Sequence, residues 1–485
     1  MAKPTAPRVQ VAVARARREC VRLRAPGLAD NVVWMIPTAP VSTSVCSLAL
    51  ALALTGCSGG GSGDPGTDTS AGPGGVDSTG VTDTAGDPTG GPTGGPTGGP
   101  TGVDPPGTST GPDDPPGGDP TGGDTTSGTT TSTDSASETG DLPPAGWQPR
   151  DSARIFLSGH SLTDNPLPEY VLEVAGSLGQ DFDFNQQIGI GSPIRVRTLG
   201  DSWDNLDWPG YHKGKNRDGF DMDVIAELAA PQTLGAGERY DTLVITENHH
   251  ILDMIRWEDT AGLLRHYHDR LIDGNPAAQT LFYHSWLDID KAAPQAWIDH
   301  EKQALYAWEC VASKINLKLE DEGRNDRIAA LPVGAALVEL VERVLAGEVA
   351  GITGSTPERM GAIFNDNVHL TPLGIYFAAL VTHAAVFRSS PVGGAVPAGV
   401  DPAPAADLQQ IAWDHVRDYY TAPNSGRHTM EECRAFVADN VCTSYWTLKG
   451  DAGQIGGCQN HFSGAGNDGN PFKWPDPGLM VWPAP

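Results

Sequence analysis

Two short segments hold the residue types that could make and break an acyl bond. The first, Ser158-Gly159-His160-Ser161-Leu162-Thr163-Asp164, follows a β-rich run, so Ser161 falls on a strand-to-helix turn with a glycine two positions before it. Such a turn exposes a hydroxyl, and the first N–H groups of the following helix are placed to help hold an oxyanion. The competing role for Ser161 is an ordinary helix N-cap. The second segment, Phe364-Asn365-Asp366-Asn367-Val368-His369-Leu370, precedes a long apolar helix. A serine needs a base and the base needs orienting. An aspartate three residues before a histidine can accept its Nδ1–H bond while Nε2 faces the serine. A loop Asp-x-x-His also serves as a plain capping and hydrogen-bonding motif.

The elements that must position these residues are legible in the apolar pattern after Trp147. Short β-rich runs are expected as strands at 154–157, 182–185, 242–245, 280–283 and 327–331. Stretches of helical period lie at 167–178, 222–229, 260–272, 294–317, 335–345, 372–387 and 405–420. This alternation is the signature of a parallel sheet flanked by helices, with ligands at the carboxyl ends of the strands.

Taken in order along the chain, four blocks resemble the SGNH (GDSL-type) hydrolase superfamily: Gly159-His160-Ser161-Leu162, Ile188-Gly189-Ile190-Gly191-Ser192, Thr246-Glu247-Asn248 and Asp366-x-x-His369. The resemblance covers about residues 154–387. It implies an α/β, flavodoxin-like three-layer sandwich with a central parallel sheet. It also implies Ser161 as nucleophile, His369 as general base, Asp366 as its orienting partner, and an oxyanion hole from the Ser161 N–H, the Gly191 N–H (Gly189 being the alternative) and the Asn248 amide. The chain departs from the family pattern at His160, where an aspartate is usual, at Thr246 and Glu247, where small glycines are usual, and at Leu370, where proline is usual.

Other polar residues take plainer roles. All 13 histidines lie beyond residue 150, but His266 and His268 sit two apart in a helical pattern and so point to different faces; surface or capping roles are expected, with no metal and no cofactor. His249 and His250 are candidates for the pocket wall; Glu247 is another, though a solvated loop carboxylate is the commoner case and the expected one. Trp203, Trp208, Trp257 and Trp286 lie near candidate loops and could stack on sugar rings, though core packing is the commoner use. Trp413 and Val416 read as packing. After Tyr420 the pattern turns irregular, and Cys433, Cys442 and Cys458 with Cys310 permit three pairings. Cys433 with Cys442 is the expected bridge, leaving Cys458 to Cys310 or free.

Four regions follow: 1–57, 58–146, 147–421 and a cysteine-containing extension at 422–485. The apolar run Val45 to Leu54 is too short to span a bilayer and suits an export signal. Leu54-Thr55-Gly56-Cys57 resembles the lipobox of bacterial lipoproteins. That resemblance implies an acylated Cys57 in the cell envelope, and Ser58 implies the outer membrane or cell surface. Of the 89 residues from Ser58 to Gly146, 40 are Gly or Pro and none is aromatic, so this stretch reads as a disordered tether. From Trp147 onward 45 acidic groups face 25 basic ones, which argues against nucleic acid as the main ligand.

The expected function is a surface-anchored serine esterase acting on small-molecule or glycan esters, with short acyl groups preferred. Two alternatives are a catalytically silent SGNH-fold lipoprotein that binds carbohydrate or a partner, and a purely structural surface protein.

Overall fold

Five strands form one all-parallel sheet: β1 (Ser152–Gly159), β2 (Asp181–Ile188), β3 (Thr242–Thr246), β4 (Gln279–Tyr283) and β5 (Ile328–Leu331), in the order β2-β1-β3-β4-β5. The computed structural model describes residues 147–475 apart from 204–205, 209, 424 and 465–468. The Cys57 lipobox, the tether 58–146 and Trp482 lie outside the described residues, as do the side chains of Trp203 and Trp208. All five expected strands are present, each extended or trimmed by a few residues at its ends.

Alternation along each strand sends side chains to two cores. Ile155, Leu157, Val244, Leu281 and Tyr283 join one, and Phe156, Leu243, Ile245 and Phe282 join the other. A parallel sheet must be covered on both faces, and here it is. The first face packs on α1 (Leu167–Ser177), α7 (Val333–Ala346), α8 (Thr356–Ile363), α9 (Pro372–Phe387) and α10 (Ala405–Thr421). The second packs on α3 (Val224–Ala229), α4 (Ile251–Trp257), α5 (Thr260–Gly274) and most of α6 (Gln295–Asp321). A short helix α2 (Ile194–Leu199) follows β2. Among the described residues no helix is long and apolar enough to cross a membrane.

The C-terminal extension is helical, which corrects the irregular reading. Met430–Phe436 (α11) runs through a π-helical turn at Val437–Val441 into Cys442–Leu448 (α12), and Ile455–Ser463 (α13) folds back on it. Its buried residues Met430, Cys433, Val437, Val441, Tyr445 and Phe462 belong to the second core, together with Trp308 and Phe282. The disulfides are Cys310–Cys433 and Cys442–Cys458, with Cα separations of 5.7 Å. The expected Cys433–Cys442 bridge is therefore wrong. Nine residues along one continuous helical run place two Cα atoms about 13 Å apart, far beyond the roughly 7 Å a disulfide tolerates.

At the amino-terminal edge of the sheet, Trp147 stacks on Trp413 and Tyr420 with ring centroids 5.8 Å from each, and the Arg150 N–H donates to the Phe387 carbonyl.

Candidate functional site

In the strand order found here the connections reverse direction between β1 and β3, and a crevice opens there at the strands' carboxyl ends. Ser161 follows β1, Gly191 follows β2 and Asn248 follows β3, so three loops converge on that crevice.

Ser161 is not a helix cap. Its turn is closed by the Thr163 N–H donating to the His160 carbonyl at 2.9 Å, and α1 begins only at Leu167, behind Pro166. The helix N-terminus expected beside the hydroxyl is thus displaced, and α1 supplies no donor directly after Ser161. Gly159 is required by close approach. A Cβ there would lie 1.8 Å from the Thr163 hydroxyl oxygen and 3.2 Å from a Thr246 methyl.

The two sequence segments meet. His369 Nε2 lies 3.0 Å from Ser161 Oγ, and His369 Nδ1 lies 2.8 Å from Asp366 Oδ2. An Nδ1–H donating to the carboxylate leaves Nε2 to accept the serine proton. Asp366 Oδ1 accepts the Val368 and His369 backbone N–H groups at 2.8 and 2.6 Å. Desolvation pushes the Asp366 carboxyl up, but the His369 and Val368 N–H bonds outweigh it and hold the group at about 2.

Residues outside the four motif blocks hold this loop. The Trp286 indole N–H donates to the Val368 carbonyl at 2.8 Å, and the Ile289 N–H to the Asn367 carbonyl at 2.7 Å. Lys291 Nζ donates to the Asn365 carbonyl at 3.0 Å. Trp286 is fully buried, so it anchors the loop and is not a platform for sugars; Trp257, by contrast, is 68% exposed. Trp413 is half-buried against the first core and Val416 is buried in it, both as packing residues.

Opposite the histidine, the Asn248 amide donates to the Gly191 carbonyl at 2.8 Å, and its Oδ1 accepts the His250 N–H at 3.0 Å. These bonds fix which way the amide faces, and its nitrogen carries a second hydrogen that an oxyanion could accept. Gly191 has φ of 69°, a left-handed conformation suited to glycine. Gly189, the alternative donor, has its N–H committed to the Gly159 carbonyl at 2.9 Å and is thereby removed as a candidate.

Glu247 is fully buried, which corrects the solvated reading. Its carboxylate accepts from the Ile194 and Asn248 N–H groups, both at 2.8 Å, and from the Thr260 hydroxyl at 2.7 Å. Burial pushes its carboxyl up, against the pull of the Arg197 charge. His160, at the position where an aspartate is usual, is buried too. Its Nε2–H donates to the Glu247 carbonyl at 3.0 Å and its Nδ1 takes the Leu162 N–H, so it is a neutral strut. Burial keeps His160 well below the usual histidine range and holds His249 and His250 at about 4. The His249 ring lies 6.0 Å from that of His160.

His266 and His268 are also buried rather than superficial, because α5 is covered on both sides. His266 packs beside Tyr211, and His268 bridges Thr280 at 2.9 Å and Asp326 at 2.7 Å. Among the described residues no group of three or more His, Cys, Asp or Glu side chains is arranged to hold a metal ion.

A cavity of about 160 Å³ opens at Ser161 and His369, lined by Leu162, Leu167, Trp286, Leu370 and Ile375 as well as Asp164 and Asn165. A larger hollow of about 400 Å³ lies between α6, β5 and the loop after α10. Ser313 and His428 both line that hollow, but Ser313 Oγ donates to the Gly426 carbonyl and takes the His428 backbone N–H, while the His428 imidazole is bonded to Glu309, so chemistry rather than volume marks the site.

No known family model matches the chain, and no curated protein matches it. Among solved structures it is similar to a DUF4886 family protein from Bacteroides uniformis, at 14% identity and a TM-score of 0.37, over 55% of this chain and 95% of that one.

Proposed function

We propose that this chain is a serine hydrolase of carboxylic esters, with a flavodoxin-like fold of SGNH type. The observation that carries the reading is the continuous hydrogen-bonded chain from Ser161 through His369 to Asp366, opening onto a small cavity walled by Leu162, Leu167, Trp286, Leu370 and Ile375. Ser161 Oγ attacks the ester carbonyl and gives its proton to His369 Nε2. The oxyanion is taken by the Asn248 amide with the backbone N–H groups of Ser161 and Gly191. His369 then protonates the leaving alcohol, and a water activated by the same histidine releases the acid. Asp366 keeps the imidazole in the tautomer that both steps need.

The cavity supports a short acyl group as substrate. Its volume of about 160 Å³ is below the roughly 300–1,000 Å³ of pockets that enclose drug-sized ligands. A fatty acyl chain would outgrow it. With 45 acidic groups against 25 basic in this region, an anionic lipid interface is disfavoured and an uncharged acetylated glycan is not. The Leu54-Thr55-Gly56-Cys57 motif adds the proposal that the enzyme is tethered to the bacterial envelope through an acylated Cys57.

Labelling with a fluorophosphonate tests the reaction, because only an activated serine is modified; attachment at Ser161 is expected. Folded protein that stays unlabelled would instead support the silent binding module. Comparing kcat/KM for acetyl, butyryl and palmitoyl esters of one leaving group tests the substrate class, and a preference for palmitoyl would overturn the short-acyl reading.

A further inference from the structure

We infer that Glu247 is the positioning residue of the oxyanion hole, tying the Gly191 loop and the Asn248 loop to one another through a single carboxylate oxygen. The inference rests on the ester-hydrolase reading above and adds to it a residue that touches no reacting atom.

Oε1 of Glu247 accepts two backbone N–H groups at 2.8 Å, one from each loop: Ile194, three residues past Gly191, and Asn248 itself. Oε2 is fixed by the hydroxyl of Thr260, the first residue of α5. The carboxylate therefore sits at the meeting point of both loops and a helix on the second face. Arg197 mirrors it with the opposite sign. Its guanidinium donates to the Ser192 carbonyl at 2.6 Å, to the Ser158 hydroxyl at 3.1 Å and to the Thr246 carbonyl. Ser192 adjoins Gly191, and Thr246 ends β3 just before Glu247. The anion gathers two N–H groups and the cation two carbonyls from around the same two loops, with Thr260 and Ser158 as their further anchors.

Both side chains are almost wholly removed from water, at 0% exposure for Glu247 and 3% for Arg197. The two make no direct ion pair, and burying two such charges is a poor source of stability compared with well-packed apolar residues, since desolvation offsets most of the attraction. What it does supply is directional placement. Oxyanion donors act only if they are fixed where charge develops, within fractions of an ångström. Van der Waals packing around loops of Gly, Ile and Ser would not set N–H directions that finely.

The test is kcat per fluorophosphonate-titrated site, KM and Tm for three variants of the intact protein. Glu247→Gln keeps an oxygen at the same reach for both amides, so it should lose only a few-fold in kcat. Its Tm should fall clearly, because Arg197 is left buried without its counter-charge. Glu247→Asp keeps the charge but withdraws the oxygen by one methylene. It should lower kcat by about 10–100-fold, approaching the ~10²–10³ that a lost oxyanion donor brings, at little-changed KM and with a smaller fall in Tm. Thr260→Val, which frees one end of the carboxylate, should fall between the two in kcat.

Activity and stability thus move in opposite orders in the Gln and Asp variants, which a purely structural residue would not produce. Wild-type kcat in the Asp variant, or a loss in the Gln variant as large as in Asp, overturns the inference. Should the Asp variant fail to fold, wild-type kcat in Thr260→Val overturns it alone. If the wild-type protein hydrolyses no ester and Ser161 stays unlabelled, the hydrolase reading falls first and the positioning role falls with it.

Discussion

On the ester-hydrolase reading, Ser161 has a base side and an oxyanion side, and the two are built by opposite means. The base side is a short loop in which Asp366 and His369 stand three residues apart with side chains 47% and 45% exposed. The oxyanion side is drawn from β1, β2, β3 and α5, and its charged members Glu247 and Arg197 are almost wholly buried. A carboxylate orienting an imidazole at the surface stays hydrated and needs only local geometry. Donors that must wait for a charge that appears during reaction have no bound partner to align them, and a buried polar network does so instead. One side can therefore be damaged chemically without harm to the fold, while the other is chemistry and fold at once.

Ser161→Ala and His369→Ala should sharpen that contrast most. The serine variant should show no detectable ester hydrolysis, and the histidine variant a loss of at least ~10²–10⁴ in kcat, both with Tm close to wild type. A large fall in Tm for His369→Ala would contradict the picture of a locally built base side. Next in size is Arg197→Met, which strips the buried Ser158 hydroxyl and the Ser192 and Thr246 carbonyls of their donor and removes the positive charge that acts on Glu247; it should destabilise by roughly 1–3 kcal/mol or more in urea denaturation. Wild-type stability in that variant would erase the difference between the two sides. Asn248→Ala should lower kcat by about 10²–10³ with KM little changed, a pattern that steady-state kinetics on a short acyl ester can check.

The smallest effect is on pH dependence. His249 and His250 sit at about 4 in the fold, while unfolded histidines take up protons near 6.5. Between those values the unfolded chain binds more protons, so their contribution to stability is complete above about pH 6.5 and is lost as pH falls towards 4. Melting curves from pH 7.5 to 4.5 should show the decline, and a His249→Gln, His250→Gln double variant should show a shallower one. An unchanged slope would mean that these histidines take up protons at the same pH in the folded and the unfolded chain.

How much of this was readable beforehand follows the same divide. The five strands were visible because apolar runs bounded by turn residues are a local signal, and Asp366-x-x-His369 because its geometry is set within four residues. Glu247 was misread because its burial depends on Arg197 fifty positions away and on Thr260 at the head of a later helix. His268 was misread likewise, since Thr280 and Asp326 lie on other elements. The helices of the extension did leave a trace. Met430, Cys433, Val437, Val441 and Tyr445 recur at helical spacing, and the short helical pattern between Cys433 and Cys442 itself argues against a bridge between them. For α8 the signal was Ser355 with Glu358, which form a capping box in the structure.

The stacking of Trp147 on Trp413 and Tyr420 has a practical meaning. It pins the entry of the folded region at the amino end of β1, whereas Ser161 stands just past the carboxyl end of the same eight-residue strand, about 26 Å further on at strand rise. Whatever is joined ahead of Trp147 attaches at the far pole of the sheet from the reacting atoms. On the ester-hydrolase reading, immobilisation through the amino-terminal side should therefore preserve turnover on bulky polymeric substrates.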